Sequence, residues 1–126
     1  MNRTESLKKR KDFKIVFNKG RSLANNYLVM YIYSNGDSIN RLGISVSKKV
    51  GNSVVRHRVT RLVKENYRLN ENRIKTGYNI VVIGRVNSSN ASFKDIEKSL
   101  NNLLRKHNLL EYKEKWYIWM SLKIFH

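Results

Sequence analysis

The apolar positions fall into stretches of alternating helical and strand period. In residues 7–18, Phe13, Val16 and Phe17 stand at i, i+3 and i+4 with Gly20 just beyond, the pattern of a short amphipathic helix and its stop. Phe13 and Phe17 share one stripe, which by default faces a core. Residues 27–33 are β-branched and aromatic; as a strand they put Tyr27, Val29, Tyr31 and Tyr33 on one face and Leu28, Met30 and Ile32 on the other. Ser34-Asn35-Gly36-Asp37 is turn chemistry, and residues 41–47 follow as a second strand with Leu42, Ile44 and Val46 inward. The expectation is a hairpin, with a shallow polar groove where Gly43, Ser45 and Ser47 lie beside the tyrosines.

The next stretch is the most specific in the chain. Gly51 and Asn52 end a strand-to-helix turn, with Asn52 as N-cap, and a helix is predicted over residues 53–69. At 100° per residue Val55, Val59, Leu62, Val63 and Tyr67 fall on one side and His57, Arg61, Lys64 and Arg68 on the other. Arg56 and Arg58 lie at opposite borders of the apolar face, Arg56 near Val63 and Tyr67, Arg58 near Leu62 and Glu65. Residues 78–84 form a near-continuous apolar run of strand length, which predicts an interior strand. Ser92-Phe93-Lys94-Asp95 has the form of a capping box. It opens a helix with Phe93, Ile96, Leu100, Leu103 and Leu104 at helical spacing. The order helix, strand, strand, helix, strand, helix defines a small mixed α+β sandwich around one sheet.

At 126 residues the chain is one domain by size, and its charge narrows the partners. Lys and Arg number 26 against 9 Asp and Glu, a formal net charge of +17. Such an excess opposes compaction and implies a polyanionic partner. A membrane is the weakest candidate. No apolar run approaches the roughly 20 residues of a spanning helix, and the N-terminal charges are not followed by the apolar core of a signal peptide, so a cytoplasmic protein is expected. The absence of cysteine agrees and excludes disulfides, thiolate zinc sites and thiol nucleophiles.

On the central helix the cations recur every three or four residues and only Glu65 offsets them, so the stripe repels itself unless an anion lies along it. A solvated polar face is the bland alternative; an anion-binding helix accounts better for the imbalance. Catalytic chemistry is not legible. The nearest acidic pairs, Asp95 with Glu97 and Glu111 with Glu114, lack convincing ligand spacing, and Asp95 already serves the capping box. Neither a phosphate loop, a nucleophile triad nor a zinc pattern occurs, so no catalytic and no metal-binding residue is expected in the chain. The sequence supports RNA binding rather than chemistry. A DNA-binding regulator is disfavoured because the central helix has no helix-turn-helix partner and no dimer seam is visible.

The run Gly51-Asn52-Ser53-Val54-Val55-Arg56-His57-Arg58-Val59-Thr60-Arg61 resembles the signature of the protein component of bacterial ribonuclease P, of the form G-N-x-V-x-R-N-R-x-K-R. His57 stands where that family usually has Asn, and Thr60 where it usually has Lys. The resemblance extends to Leu7-Lys8-Lys9, Asp12-Phe13, Val16-Phe17, Gly20 and Gly43-Ile44-Ser45-Val46-Ser47-Lys48-Lys49, and covers about residues 7–107. It implies a subunit of an RNA-dependent endoribonuclease that removes the 5′ leader of precursor tRNA. The RNA subunit would hold the Mg²⁺ ions and cleave, with none bound by the protein alone. For Phe13 and Phe17 the resemblance reverses the default reading, because the matching aromatics border a cleft for the single-stranded leader. It implies precursor-tRNA contacts at Phe13, Phe17, Tyr31, Ser47, Lys48, Arg56 and His57, and catalytic-RNA contacts at Lys49, Asn52, Arg58, Arg61, Lys64 and Arg68. The competing class is a small basic ribosomal protein, which shares size, charge and layout but needs no aromatic cleft beside its basic helix.

The domain is thus expected over residues 1–107, with residues 108–126 as a C-terminal extension of unknown role. There Leu109, Tyr112, Trp116, Trp119 and Met120 fit one helical stripe, while a strand over residues 116–125 fits almost as well. Covering an exposed part of the core and docking a partner both remain open for it.

Overall fold

The apolar run that predicts an interior strand takes the centre of a five-stranded sheet. The computed structural model describes residues 3–111. Its elements are β1 (Thr4–Ser6), α1 (Arg10–Lys19), β2 (Arg21–Ala24), β3 (Leu28–Ser34), β4 (Asn40–Val46), α2 (Ser53–Asn70), β5 (Tyr78–Gly84) and α3 (Phe93–Lys106), with short 3-10 turns at Glu71–Arg73 and Val86–Asn90. The strand order is β1-β4-β5-β3-β2. β5 runs parallel to β4 and antiparallel to β3; β1 joins β4 in parallel and β2 joins β3 antiparallel.

This order corrects the expected hairpin. β3 and β4 are consecutive, but β5 lies between them and pairs with both. Ile80, Val81 and Val82 are fully buried, so side chains on both faces of β5 are withdrawn from water. Each such burial stabilises by about 1.5–3 kcal/mol, which an edge strand could not collect. The connection after β3 therefore spans two strand spacings, roughly 10 Å, instead of making a two-residue turn. Asn35 adapts it to that span. Its backbone N–H donates to the Gly77 carbonyl just ahead of β5 (2.9 Å), and its side-chain amide donates to Ile39 O (3.2 Å) and to Asn79 Oδ1 on β5 (3.0 Å).

The sheet has unequal layers. α2 and α3 cover one face, where Leu28, Met30, Ile32, Leu42, Val59, Val63, Tyr67, Ile80, Val82, Ile96, Leu100, Leu103 and Leu104 form the main core. α1 alone covers the other, over Leu7, Val16 and Val81 with Phe13, Tyr31, Tyr33 and Ile83 half-buried around them. Within β3 the predicted faces are found, the even positions entering the main core and Tyr31 and Tyr33 the smaller one, whereas Tyr27, expected on the face of Tyr31 and Tyr33, precedes the strand and packs against the main core. The capping box of α3 forms as expected: Asp95 N–H donates to Ser92 Oγ (3.1 Å) and Ser92 N–H to Asp95 Oδ2 (2.9 Å).

Two strands had no periodic signal, because β1 and β2 are only 3 and 4 residues long. β1 is held by a buried polar knot in which the hydroxyls of Thr4 and Tyr67 are 3.0 Å apart and Asn40 Nδ2 donates to Tyr67 Oη (3.4 Å) and Lys75 O (2.9 Å). β2 follows α1 with only Gly20 between them. A Cβ on Gly20 would meet the Val16 carbonyl and stand 2.7 Å from Ile32 O, both backbone atoms. α3 begins at Phe93 and ends at Lys106, so residues 108–111 continue beyond it; Leu109 is buried, and Ile74 bridges Leu110. The alternatives for the tail over residues 112–126 lie outside the described residues.

Gly20→Ala should destabilise the protein by about 1–3 kcal/mol, because the methyl forces backbone apart at a junction with no slack. Urea unfolding followed by tryptophan-independent far-UV circular dichroism checks this. A second expectation concerns His107, which is 3% exposed and bonded through Nε2 to Met30 O (2.9 Å). Burial first, and Arg21 nearby, hold its pKa below the ordinary value of 6.5, against the opposing Met30 carbonyl. The unfolded chain then binds the extra proton more readily, so this residue's contribution is present above about pH 6.5 and falls as pH drops toward the folded pKa. Unfolding midpoints measured from mildly alkaline to mildly acidic pH should fall less in His107→Asn than in the parent.

Candidate nucleic-acid interface

The basic helix is set by its first turn. Asn52 Oδ1 accepts from Val55 N–H at 3.0 Å, satisfying one of the orphan amides at the helix start, so the expected N-cap is present. Val59, Val63 and Tyr67 are fully buried, with Val55 and Leu62 packed partly against the core. His57, Arg61, Lys64 and Arg68 are all exposed on the far side.

Within this set the side chains differ. His57, Arg61 and Lys64 have no hydrogen bond or ion pair with a described side chain. Arg68 is paired with Glu65, the one acid expected to offset the stripe, and holds its carboxyl below the usual range through their hydrogen bond. Arg58, expected at the border of the apolar face and assigned by the resemblance to the catalytic RNA, turns inward: its Nη2 donates to Ala91 O at 2.5 Å and ties α2 to the entry of α3. Arg56 is half-buried at the opposite border. At the departure position 60, Thr60 Oγ1 donates back to the Arg56 carbonyl (2.9 Å). Ser53, Val54, His57, Arg58 and Arg61 line a shallow depression of about 490 Å³ at the helix head.

The aromatic half of the site lies on the α1 face of the sheet. The Phe13 and Phe17 rings are 6.3 Å apart, and Phe17 meets Tyr31 edge-on at 5.0 Å and 87°. Phe13 fills the place expected for a groove at Gly43; a Cβ there would stand 2.5 Å from its Cζ. The open groove begins one row further along. Ser45, Ile83, Val29 and Ala24 are register partners across β4, β5, β3 and β2, so their side chains share this face, beyond the row that α1 covers. Ser45 and Ala24 are exposed and Ile83 and Val29 half-buried. Phe17, 40% exposed, stands at the edge of α1 against Tyr31. Ser47, Lys48 and Lys49, all exposed, lead from β4 to α2 at the same end of the sheet.

Residues 24, 29 and 83 were not among the expected site residues. Their membership follows from β5 lying between β3 and β4 and from the short β2, neither of which periodicity reveals. Among the described residues no three His, Asp or Glu side chains cluster so as to hold a metal ion, and no helix is long and apolar enough to cross a membrane.

An open sheet row edged by an edge-on aromatic cluster, with a basic helix at its end, fits the class of small α+β RNA-binding proteins. The family model for ribonuclease P matches residues 1–108, and the chain belongs to the ribonuclease P protein family. It is 54% identical over 109 residues to the ribonuclease P protein component of Clostridioides difficile (strain 630), covering 86% of this chain and 96% of that one. Among solved structures it is similar to the RNase P protein of Staphylococcus aureus, with a TM-score of 0.78 and 34% identity over 84% of this chain and 97% of the other. The RNase P protein from Thermotoga maritima gives a TM-score of 0.75 at 38% identity, covering 81% and 96%. These relatives are ribonuclease P proteins and not ribosomal proteins, which removes the competing class.

Arg58 and Arg61 should separate on substitution. Arg58→Ala leaves the Ala91 carbonyl without its charged donor and should cost about 1.5–3 kcal/mol of stability, whereas Arg61→Ala should stay within about 0.5 kcal/mol of the parent. Paired urea titrations decide it.

Proposed function

We propose that the protein binds the catalytic RNA of ribonuclease P and the 5′ leader of precursor tRNA, leaving cleavage to the RNA. One observation carries this reading: Phe17 stands half-open against Tyr31 beside an uncovered sheet row, with Lys48 and the head of α2 at the same end. A single-stranded leader offers flat bases and a phosphate chain. Aromatic faces suit the former and cations the latter.

In this reading Phe17, Tyr31, Ser47, Lys48, Arg56 and His57 meet the leader, with Phe13 positioning Phe17 from its seat on Gly43. Lys49, Arg61, Lys64 and Arg68 meet the catalytic RNA. Asn52 and Arg58 act there mainly by fixing α2, since Asn52 caps Val55 N–H and Arg58 holds Ala91 O. In this reading the RNA holds the Mg²⁺ ions and supplies the cleavage chemistry, with none bound by the protein alone. The protein contributes orientation: holding substrate against the catalytic RNA replaces part of the entropy lost on encounter. The complex would work in the cytoplasm with its RNA partners.

Reconstitution tests the division of labour. Nuclease-free protein alone should not cut precursor tRNA, and addition of the catalytic RNA should give 5′ cleavage at low Mg²⁺; site-specific cutting by the protein alone would reverse the proposal. With the RNA present, Phe17→Ala should weaken precursor binding by about 1–3 kcal/mol, the range for one stacked base, while leaving leaderless tRNA binding unchanged. Equal losses for both substrates would take Phe17 out of the leader site.

A further inference from the structure

A second concentration of positive charge lies at the other end of the sheet. Lys19, Arg21, Tyr33, Lys75, Tyr78 and His107 line a cleft of about 430 Å³. α2 starts beyond Val46, which pairs with Gly84, and Gly84 pairs with Leu28 at the beginning of β3. Ser34 at the end of β3 pairs with Tyr78, so the 7 residues of that strand, roughly 20 Å of chain, separate the two regions.

The cleft is built by the fold. The direct junction at Gly20 sets Lys19 at the end of α1 and Arg21 at the start of β2, and β2–β3 pairing places Arg21 opposite Ile32. Lys75 arrives from the segment ahead of β5, where its N–H donates to Leu109 O at 2.7 Å. Among the described residues no Asp or Glu lines the cleft, and the side chains of Lys19, Arg21 and Lys75 form no ion pair with a described residue. The wall also holds an unsatisfied polar atom. His107 bonds Met30 O through Nε2, yet its buried Nδ1 has no partner among the described residues. Three cations in one concavity with two tyrosines suit a phosphodiester: the charges meet the phosphate and the rings can pack against the sugar.

We propose that this cleft is a second phosphate-binding site, which grips the backbone of an RNA strand at the end of the sheet remote from the head of α2. The inference rests on the RNA-binding reading above. The phosphate belongs either to the catalytic RNA or to the tRNA body, and the experiment separates the two.

The test uses the full chain. Binding to the catalytic RNA and, in the reconstituted holoenzyme, to precursor tRNA is measured over a salt series for the parent, for Lys19→Gln/Arg21→Gln/Lys75→Gln, and for Arg61→Gln/Lys64→Gln as the control on α2. The cleft variant should lower the log–log salt slope by about one for the RNA that uses the site, with the far-UV spectrum unchanged. A photoreactive group on Ser34→Cys, a unique thiol in a chain with Cys 0, should then cross-link to that same RNA. If the α2 control lowers the slope while the cleft variant leaves both slopes unchanged and no cross-link forms, the second site is overturned and the RNA-binding reading stands. If the control is also without effect on either RNA, the RNA-binding reading fails and takes this inference with it.

Discussion

The burial of β5 on both faces is the constraint on which the rest of the structure depends. A strand carrying Ile80, Val81 and Val82 at zero exposure needs a strand on each side and a helical layer above and below. α2 and α3 supply a full layer on one face. α1 supplies a partial one on the other, because its 10 residues cannot span the sheet. Among the described residues the remainder left uncovered is the row of Ser45, Ile83, Val29 and Ala24. The proposed binding surface is therefore a product of incomplete covering, positioned by the same strand that makes the core.

Charge is arranged in a corresponding way. Arg58 and Arg68 are engaged within the protein, by Ala91 O and Glu65 respectively, while Arg61 and Lys64 are left to solvent on the same helix. A helix with four unopposed cations would repel itself along its length; pairing the last of them with Glu65 relieves the C-terminal end and leaves Arg61 and Lys64 unpaired along the middle of α2. The head of α2 is where Lys48 and Lys49 enter, so field and aromatic row meet at one end of the molecule.

Much of this was legible in the sequence wherever a side-chain period ran long enough to be read. The 18 residues of α2 gave away their cap, buried face and cationic face, and Ser92 with Asp95 announced the start of α3. The two faces of β3 were legible because alternation persisted over seven residues. What was hidden has a common physical cause, dependence on residues far along the chain. Ser34-Asn35-Gly36-Asp37 has the composition of a tight turn, but Asn35 bonds to Gly77 and Asn79 and so serves a third strand. The inward turn of Arg58 depends on a carbonyl 33 residues away. β1 rests on Tyr67, Asn40 and Thr4 meeting, which no local pattern encodes.

The placement of β5 also sets the order in which a growing chain can become a folded one. Translation delivers β1, α1, β2, β3, β4 and α2 before Tyr78, yet β3 and β4 have no shared edge until β5 fills the gap between them. Thr4, made well before Tyr67, waits for it. At roughly 5–20 residues per second, several seconds pass in which the nascent chain shows its basic segments without a closed sheet behind them. During that interval it is a cationic polymer emerging beside ribosomal RNA, so the closing of the sheet also limits how long those segments can engage the wrong polyanion.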